Sequence, residues 1–159
     1  MEYFDTHMHL DDEKFNEDRE EVIQKMQTAN VTKCINMGCN IETSKKAVEL
    51  SKKYEFIYSA VGIHPEELPQ IEEELWKSIE KIKELAVSNK KTVAIGEIGL
   101  DYYWKNDNKE LQKKAFIKQI ELANKLKLPI SIHSREAIDD TIEIIRKYKL
   151  KKSGVLHCC

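Results

Sequence analysis

Short runs of β-branched and apolar residues alternate with longer stretches of helical period along the whole chain, and few folds accept that pattern. Six runs read as strands, at residues 2–8, 32–38, 56–62, 92–97, 129–133 and 153–157. Four of the intervening stretches carry an apolar stripe at i, i+3, i+4, i+7: Phe15, Val22, Ile23 and Met26; Ile71, Leu75, Ile79, Ile82 and Ala86; Leu111, Ala115, Phe116, Ile120 and Ala123; and Ala137, Thr141, Ile144, Ile145 and Tyr148. Strand–helix–strand succession of this kind specifies a parallel sheet with helices packed upon it. Units of about 25 to 35 residues follow one another with no Pro/Gly/Ser-rich divider, so residues 1–159 read as a single domain. Periodicity alone leaves a doubly wound sheet and a (β/α) barrel open.

The polar residues have their own order. His7 and His9 follow the first strand, His64 the third, His133 the fifth and His157 the sixth, so all five histidines fall at C-terminal strand ends. That is the ligand-bearing face of parallel α/β folds. In Thr6-His7-Met8-His9-Leu10 the two imidazoles stand at i and i+2 of an extended segment. They project from one side, with Cα atoms about 6.6 Å apart, within reach of one metal ion. The fourth strand ends in Ile95-Gly96-Glu97-Ile98-Gly99-Leu100-Asp101, which puts a carboxylate directly after an apolar run. Burying Glu97 without a partner is too costly for filler. A carboxylate can bridge two cations, and His with Glu suits Zn, Mg or Mn rather than a thiolate site. Asp101 reads equally as a turn or cap residue before Tyr102-Tyr103-Trp104 and as a site group.

The donor count fits a two-metal hydrolase, in which one ion acidifies a water and the other takes up charge on the attacked group. His7, His9 and Glu97 would hold one ion; Glu97, His133 and His157 would hold the second, with Glu97 the catalytic bridging ligand. His64 and Arg135 are left as cationic or hydrogen-bonding groups at the rim, suited to a phosphate. The cysteines stand at 34, 39, 158 and 159. Cys34-x4-Cys39 has no zinc-knuckle spacing, and both read as buried strand residues; Cys158 and Cys159 are too close in sequence to bridge well, and all four are expected to be reduced.

These segments resemble a known family, the TatD-type metal-dependent hydrolases of the amidohydrolase superfamily. The carriers are DTHMHLDD, INMGCN, YSAVGIHP, AIGEIGLDYYW, LPISIHSREA and GVLHC, in the family's order and spread over almost the whole chain. The resemblance implies a TIM barrel with two divalent ions and deoxyribonuclease or phosphoesterase activity, often 3'-to-5' exonuclease action on DNA. It implies His7, His9, Glu97, His133 and His157 as ligands and His64 as a substrate contact. A complete (β/α)8 barrel takes about 250 residues. This chain therefore reads as an incomplete TIM barrel with about six of eight βα units, lacking the family's late Asp, which binds a metal and orients the attacking water. Its two open edges would recruit partners, a second copy included.

Charge and length narrow the function further. Lys and Arg number 26 against 28 Asp and Glu, a formal charge of -2, so no broad basic face grips duplex DNA. Single strands and 3' ends are the expected nucleic-acid substrates. With no run of roughly 18 apolar residues and no basic-then-apolar N-terminus, the chain reads as cytoplasmic, without a membrane partner. Two other readings stay open on the residues: an amidohydrolase acting on a cyclic amide or lactone, and an inert fragment that binds metal or needs a complementary C-terminal segment.

Overall fold

A computed structural model describes residues 1–157; Cys158 and Cys159, and any reading of them, lie outside the described residues. The strands are β1 (Tyr3–Met8), β2 (Val31–Met37), β3 (Ile57–Val61), β4 (Thr92–Asp101), β5 (Ile130–Arg135) and β6 (Gly154–His157). Between them run α1 (Arg19–Thr28), α2 (Ile41–Lys53), α3 (Glu72–Ser88), α4 (Lys109–Leu126) and α5 (Ile138–Tyr148), with single 3-10 turns at Glu13–Phe15 and Pro65–Glu67. Every strand pair is parallel, and the order across the sheet is that of the chain, β1 to β6. A doubly wound sheet reverses direction at a switch point. Here no reversal occurs, and the sheet curls as six consecutive units of a (β/α) barrel.

α2 is the helix that the apolar stripes did not announce. Its buried face is Ser44, Ala47, Val48 and Ser51, too small to register as a stripe. Its start is nonetheless written locally: the Asn40 side chain accepts from the Thr43 N–H while the Thr43 hydroxyl faces the Asn40 N–H, a reciprocal cap. The other helices pack with the expected stripes, with Ile71 and Ala137 as cap residues rather than helical ones; on α1 only Ile23 is buried, and Phe15 lies in the 3-10 turn before the helix. The main core, between sheet and helices, includes Leu75, Ile79, Ile82, Ile95, Ile98, Phe116, Ile120 and Ile132. Among the described residues no helix is long and apolar enough to cross a membrane.

Two β4 core residues reveal how that strand is aimed. Ile95 and Ile98 are both fully buried in the helix-side core although they are three apart, which strict alternation forbids. The register resolves it: Ile95 lies opposite Ile130 and Ile98 opposite Ile132, so β4 carries one extra residue around Gly96 and Glu97. Such a bulge re-aims a side chain. On the concave side an apolar trough of about 490 Å³, lined by Phe4, Ile35, Met37, Val93, Ala94 and Val155 among others, lies toward the N-terminal strand ends, away from the histidines. Among the described residues, β1 and β6 have no strand neighbour on their outer sides.

Candidate metal centre

The C-terminal strand ends converge on Glu97, which is only 4 % exposed. All five histidines bring a ring nitrogen to within 4.0 Å of its carboxylate, and they divide by oxygen. His7 Nε2 lies 3.3 Å and His9 Nε2 3.7 Å from Oε2. His133 Nδ1 lies 3.2 Å, His64 Nε2 3.9 Å and His157 Nε2 4.0 Å from Oε1. The ion-pair partners of Glu97 among the described residues are all histidines, so a Lys or Arg bridge does not account for it. His7 and His9 face each other at 3.2 Å between Nε2 atoms, and the His7 ring stacks on that of His157 with centroids 3.9 Å apart. Burial pushes the Glu97 carboxyl up, but hydrogen bonds from His133 and His7 outweigh it and hold the group well below the ordinary carboxylate range.

This donor chemistry fits divalent metal. Imidazole nitrogens crowd both oxygens of one buried carboxylate at distances set by their own packing. Three compact sets of donors share Glu97: with His7 and His157, with His9 and Cys39, and with His64 and His133. These sets contain the five expected ligands but group them differently, with His157 beside His7 and with Cys39 and His64 as further donors; two residues also differ in place. His64 is not at a rim: it is 8 % exposed, its ring edge-to-face with His133 at 4.4 Å. Arg135 does not touch Glu97; its guanidinium lies over two aromatic rings beyond the site.

Burial pulls His64 down to about 4, so the ring is neutral at pH 7. Its Nδ1 accepts from the Glu66 N–H at 3.3 Å, which leaves the proton on Nε2, the nitrogen facing the centre. His133 is held the other way. Burial lowers it, but Glu97 on one ring nitrogen and Asp101 on the other outweigh burial and raise it above the ordinary imidazole value. Asp101 therefore has both of the roles open to it from the sequence. Its Oδ2 holds His133 Nε2 at 2.8 Å, while its Oδ1 accepts from the N–H groups of Tyr103 and Trp104 at 3.0 and 2.8 Å.

Several supporting residues were not legible as such. Asn36 of β2 accepts from the Leu10 N–H at 2.6 Å and donates to Asp11 at 2.7 Å, fixing the segment after His9. Gln112 and Gln119, buried on α4, each pair like a strand with a β-strand end: Gln112 with the N–H and C=O of Asp101, Gln119 with those of Ile63, next to His64. Cys34 is a buried core thiol pushed up to about 12 by burial. Cys39 differs from the purely structural role read for it. Its Sγ lies 3.9 Å from Glu97 Oε2 and 4.0 Å from His9 Nδ1, with its thiol pushed up by burial and by the Glu97 charge.

Known proteins share this architecture. A family model described as "TatD related DNase" matches residues 4–159. The chain is 40% identical over 156 residues to the "uncharacterized metal-dependent hydrolase YabD" of Bacillus subtilis, covering 98% of this chain and 60% of that protein. It is 32% identical over 158 residues to the "3'-5' ssDNA/RNA exonuclease TatD" of Escherichia fergusonii, covering 98% and 58%. The crystal structure of YjjV, a TatD homolog from Escherichia coli K12, superposes with a TM-score of 0.87 at 30% identity over 98% of this chain and 59% of that one. A TatD family hydrolase from Entamoeba histolytica gives 0.86 at 26% identity, over 100% and 58%. The chain spans about three fifths of the length of the curated relatives it matches.

Proposed function

The chain belongs to the family of TatD-related DNases, and on that premise we propose that it carries the metal centre of a cytoplasmic hydrolase that cleaves phosphodiester bonds of nucleic acid, acting as a 3'-to-5' exonuclease on single strands. The observation that carries the reading is five imidazoles gathered within 4.0 Å of one buried carboxylate. His7 and His9 at Oε2, and His133 and His157 at Oε1, are the residues that would hold two divalent ions, Zn, Mg or Mn, with Glu97 between them. When bound, such ions lower the pKa of a coordinated water and neutralise charge gathering on the attacked phosphorus.

The protein's own groups have defined tasks in this reading. Asp101 fixes the plane of the His133 ring by pairing its far nitrogen, and its negative charge makes the imidazole more basic. His64, neutral and protonated on Nε2, is a hydrogen-bond donor for a phosphate oxygen; being uncharged, it does not compete with a cation for the same space. Arg135 supplies a guanidinium at the mouth. With no net basic charge, attraction for the phosphate comes from within the site rather than from a surface stripe.

Metal content after dialysis, together with digestion of a 5'-labelled single-stranded oligonucleotide in Mg or Mn, tests the proposal. Two ions per chain and a ladder shortening from the 3' end are expected, with ion content reduced in a His7→Ala/His9→Ala variant. A double variant with the parent's stoichiometry and affinity would overturn the ligand assignment. Turnover of a cyclic amide or lactone with none of a phosphodiester would overturn the reaction class. Faster internal cleavage of closed circular duplex would overturn the exonuclease reading.

A further inference from the structure

We infer that the turn after β4 is a nucleobase-stacking platform, formed by Tyr103 and Trp104 with Arg135 beside them, which holds an unpaired base of a nucleic-acid strand whose phosphate lies at the histidine site. The inference rests on the phosphodiesterase reading above and adds to it where the base is gripped. Tyr103 and Trp104 are 49 % and 58 % exposed. Their rings meet edge-to-face with centroids 4.7 Å apart, a contact that occupies the face of only one of the two rings. The Arg135 guanidinium lies 4.1 Å from the Tyr103 centroid and 5.4 Å from that of Trp104. Two large rings left in water together with a delocalised cation form a surface that suits a π-face bearing a nearby negative charge.

The platform is tied to the site by one side chain. Asp101 Oδ1 holds the Tyr103 and Trp104 N–H groups, and Asp101 Oδ2 holds His133. Gln112 clamps the Asp101 backbone and also donates to the Lys105 carbonyl at 2.6 Å on the far side of the turn. Both ends of the aromatic turn are thus fixed against β4, so the rings keep their position relative to His133. Arg135 is two residues past His133 on β5 and opposite Asp101 in the register, so it stands at the same sheet end as the histidines, against the two rings. A strand with a phosphate at the histidines would have its neighbouring base beside Trp104. Stacking of this type is indifferent to base identity because every base has a π-face, and it requires a base free of its partner. It therefore supplies a physical basis for preferring single strands that does not depend on net charge.

The test measures binding, in Ca and without turnover, of a fluorescently labelled thymidine octamer and of an abasic deoxyribose-phosphate octamer. Parent, Trp104→Ala and Trp104→Phe chains are compared, with urea midpoints recorded to show that each is folded. Stacking on Trp104 predicts that Trp104→Ala loses about 5- to 100-fold affinity for the thymidine octamer, keeps its affinity for the abasic one, and is restored largely by Trp104→Phe. Tryptophan emission of the parent should fall on adding the thymidine octamer and not the abasic one. Equal losses of Trp104→Ala on both octamers, or no loss on either, would overturn the platform while leaving the phosphodiesterase reading intact. Failure of the metal-loaded parent to hydrolyse bis(4-nitrophenyl) phosphate, together with no binding of either octamer, would overturn that reading and the platform with it.

Discussion

Gly99 stands between Glu97 and Asp101 and opposite His133, and replacing it with alanine should damage stability and the metal centre together. Its φ of +142° is one that side-chain-bearing residues rarely adopt, and a Cβ built there meets the His133 carbonyl oxygen at 2.0 Å and its carbon at 3.0 Å. Neither atom is a flexible tip; both belong to the backbone of β5. To relieve the contact β5 must move off β4 by more than about 1 Å, which stretches the local strand–strand hydrogen bonds beyond the useful range of roughly 3.5 Å. Two such bonds at about 1 kcal/mol each and about 1–3 kcal/mol of backbone strain oppose a gain of about 0.4–1 kcal/mol from stiffening the unfolded chain. The net loss is about 2–5 kcal/mol, a large part of the roughly 5–15 kcal/mol typical of a domain.

The same displacement reaches the centre. His133 is held by Glu97 at 3.2 Å and by Asp101 at 2.8 Å, and both carboxylates come from β4. Moving β5 by that amount breaks both contacts, so a folded Gly99→Ala chain should retain fewer ions than the parent. Urea unfolding followed by far-ultraviolet circular dichroism reads the first effect, and metal analysis after dialysis the second. A stability change below 1 kcal/mol with full ion content would refute the claim that close approach at Gly99 builds the site.

Other outcomes follow from the same geometry. Gln119→Leu removes the partner of both the N–H and C=O of Ile63; about 2–5 kcal/mol of stability should be lost, and an unchanged urea midpoint would show that Ile63 finds other partners. In the metal-free protein, burial holds His64 at about 4, so below its ordinary value of about 6.5 the unfolded chain takes up a proton that the folded chain refuses. Stability should then fall by about 3 kcal/mol between pH 6.5 and 4, and fall further below about 4.5 as Glu97, depressed when folded, becomes protonated. His133, raised when folded, acts the opposite way, its contribution being lost as pH rises through its folded value. A flat urea midpoint between pH 7 and 4 would contradict this balance. With Phe4 and Val155 exposed on β1 and β6 and lining an apolar trough, residues 1–159 should self-associate. Light scattering that gives a monomer at high micromolar concentration would refute that.

The histidines and Glu97 were legible because their signal is one-dimensional: each follows an apolar run, and a strand end determines which face of the sheet it joins. What the sequence did not disclose is whatever depends on pairing between elements. Cys39 looked inert because its thiol partners were sought along the chain, near Cys34, whereas they are His9 of the first unit and Glu97 of the fourth. Gln112 and Gln119 lie on the apolar side of α4 and read as interruptions of its stripe; they are buried because strand ends at Asp101 and Ile63 leave backbone groups that only a side chain can reach. Asp101 could be assigned to a turn or to the site but not to both, since its two oxygens serve the two at once. Glu97 itself is aimed by an extra residue in β4, which appears in the sequence only as Ile95 and Ile98 spaced three apart. The donors, the histidines and Glu97, arrive at the ends of five strands, β1, β3, β4, β5 and β6, and only His7 and His9 share one, so the centre as a whole has no local precursor. Its geometry forms only when the registers from β1 to β6 are set, and substitutions that shift a register should therefore cost ion content even where they touch no ligand.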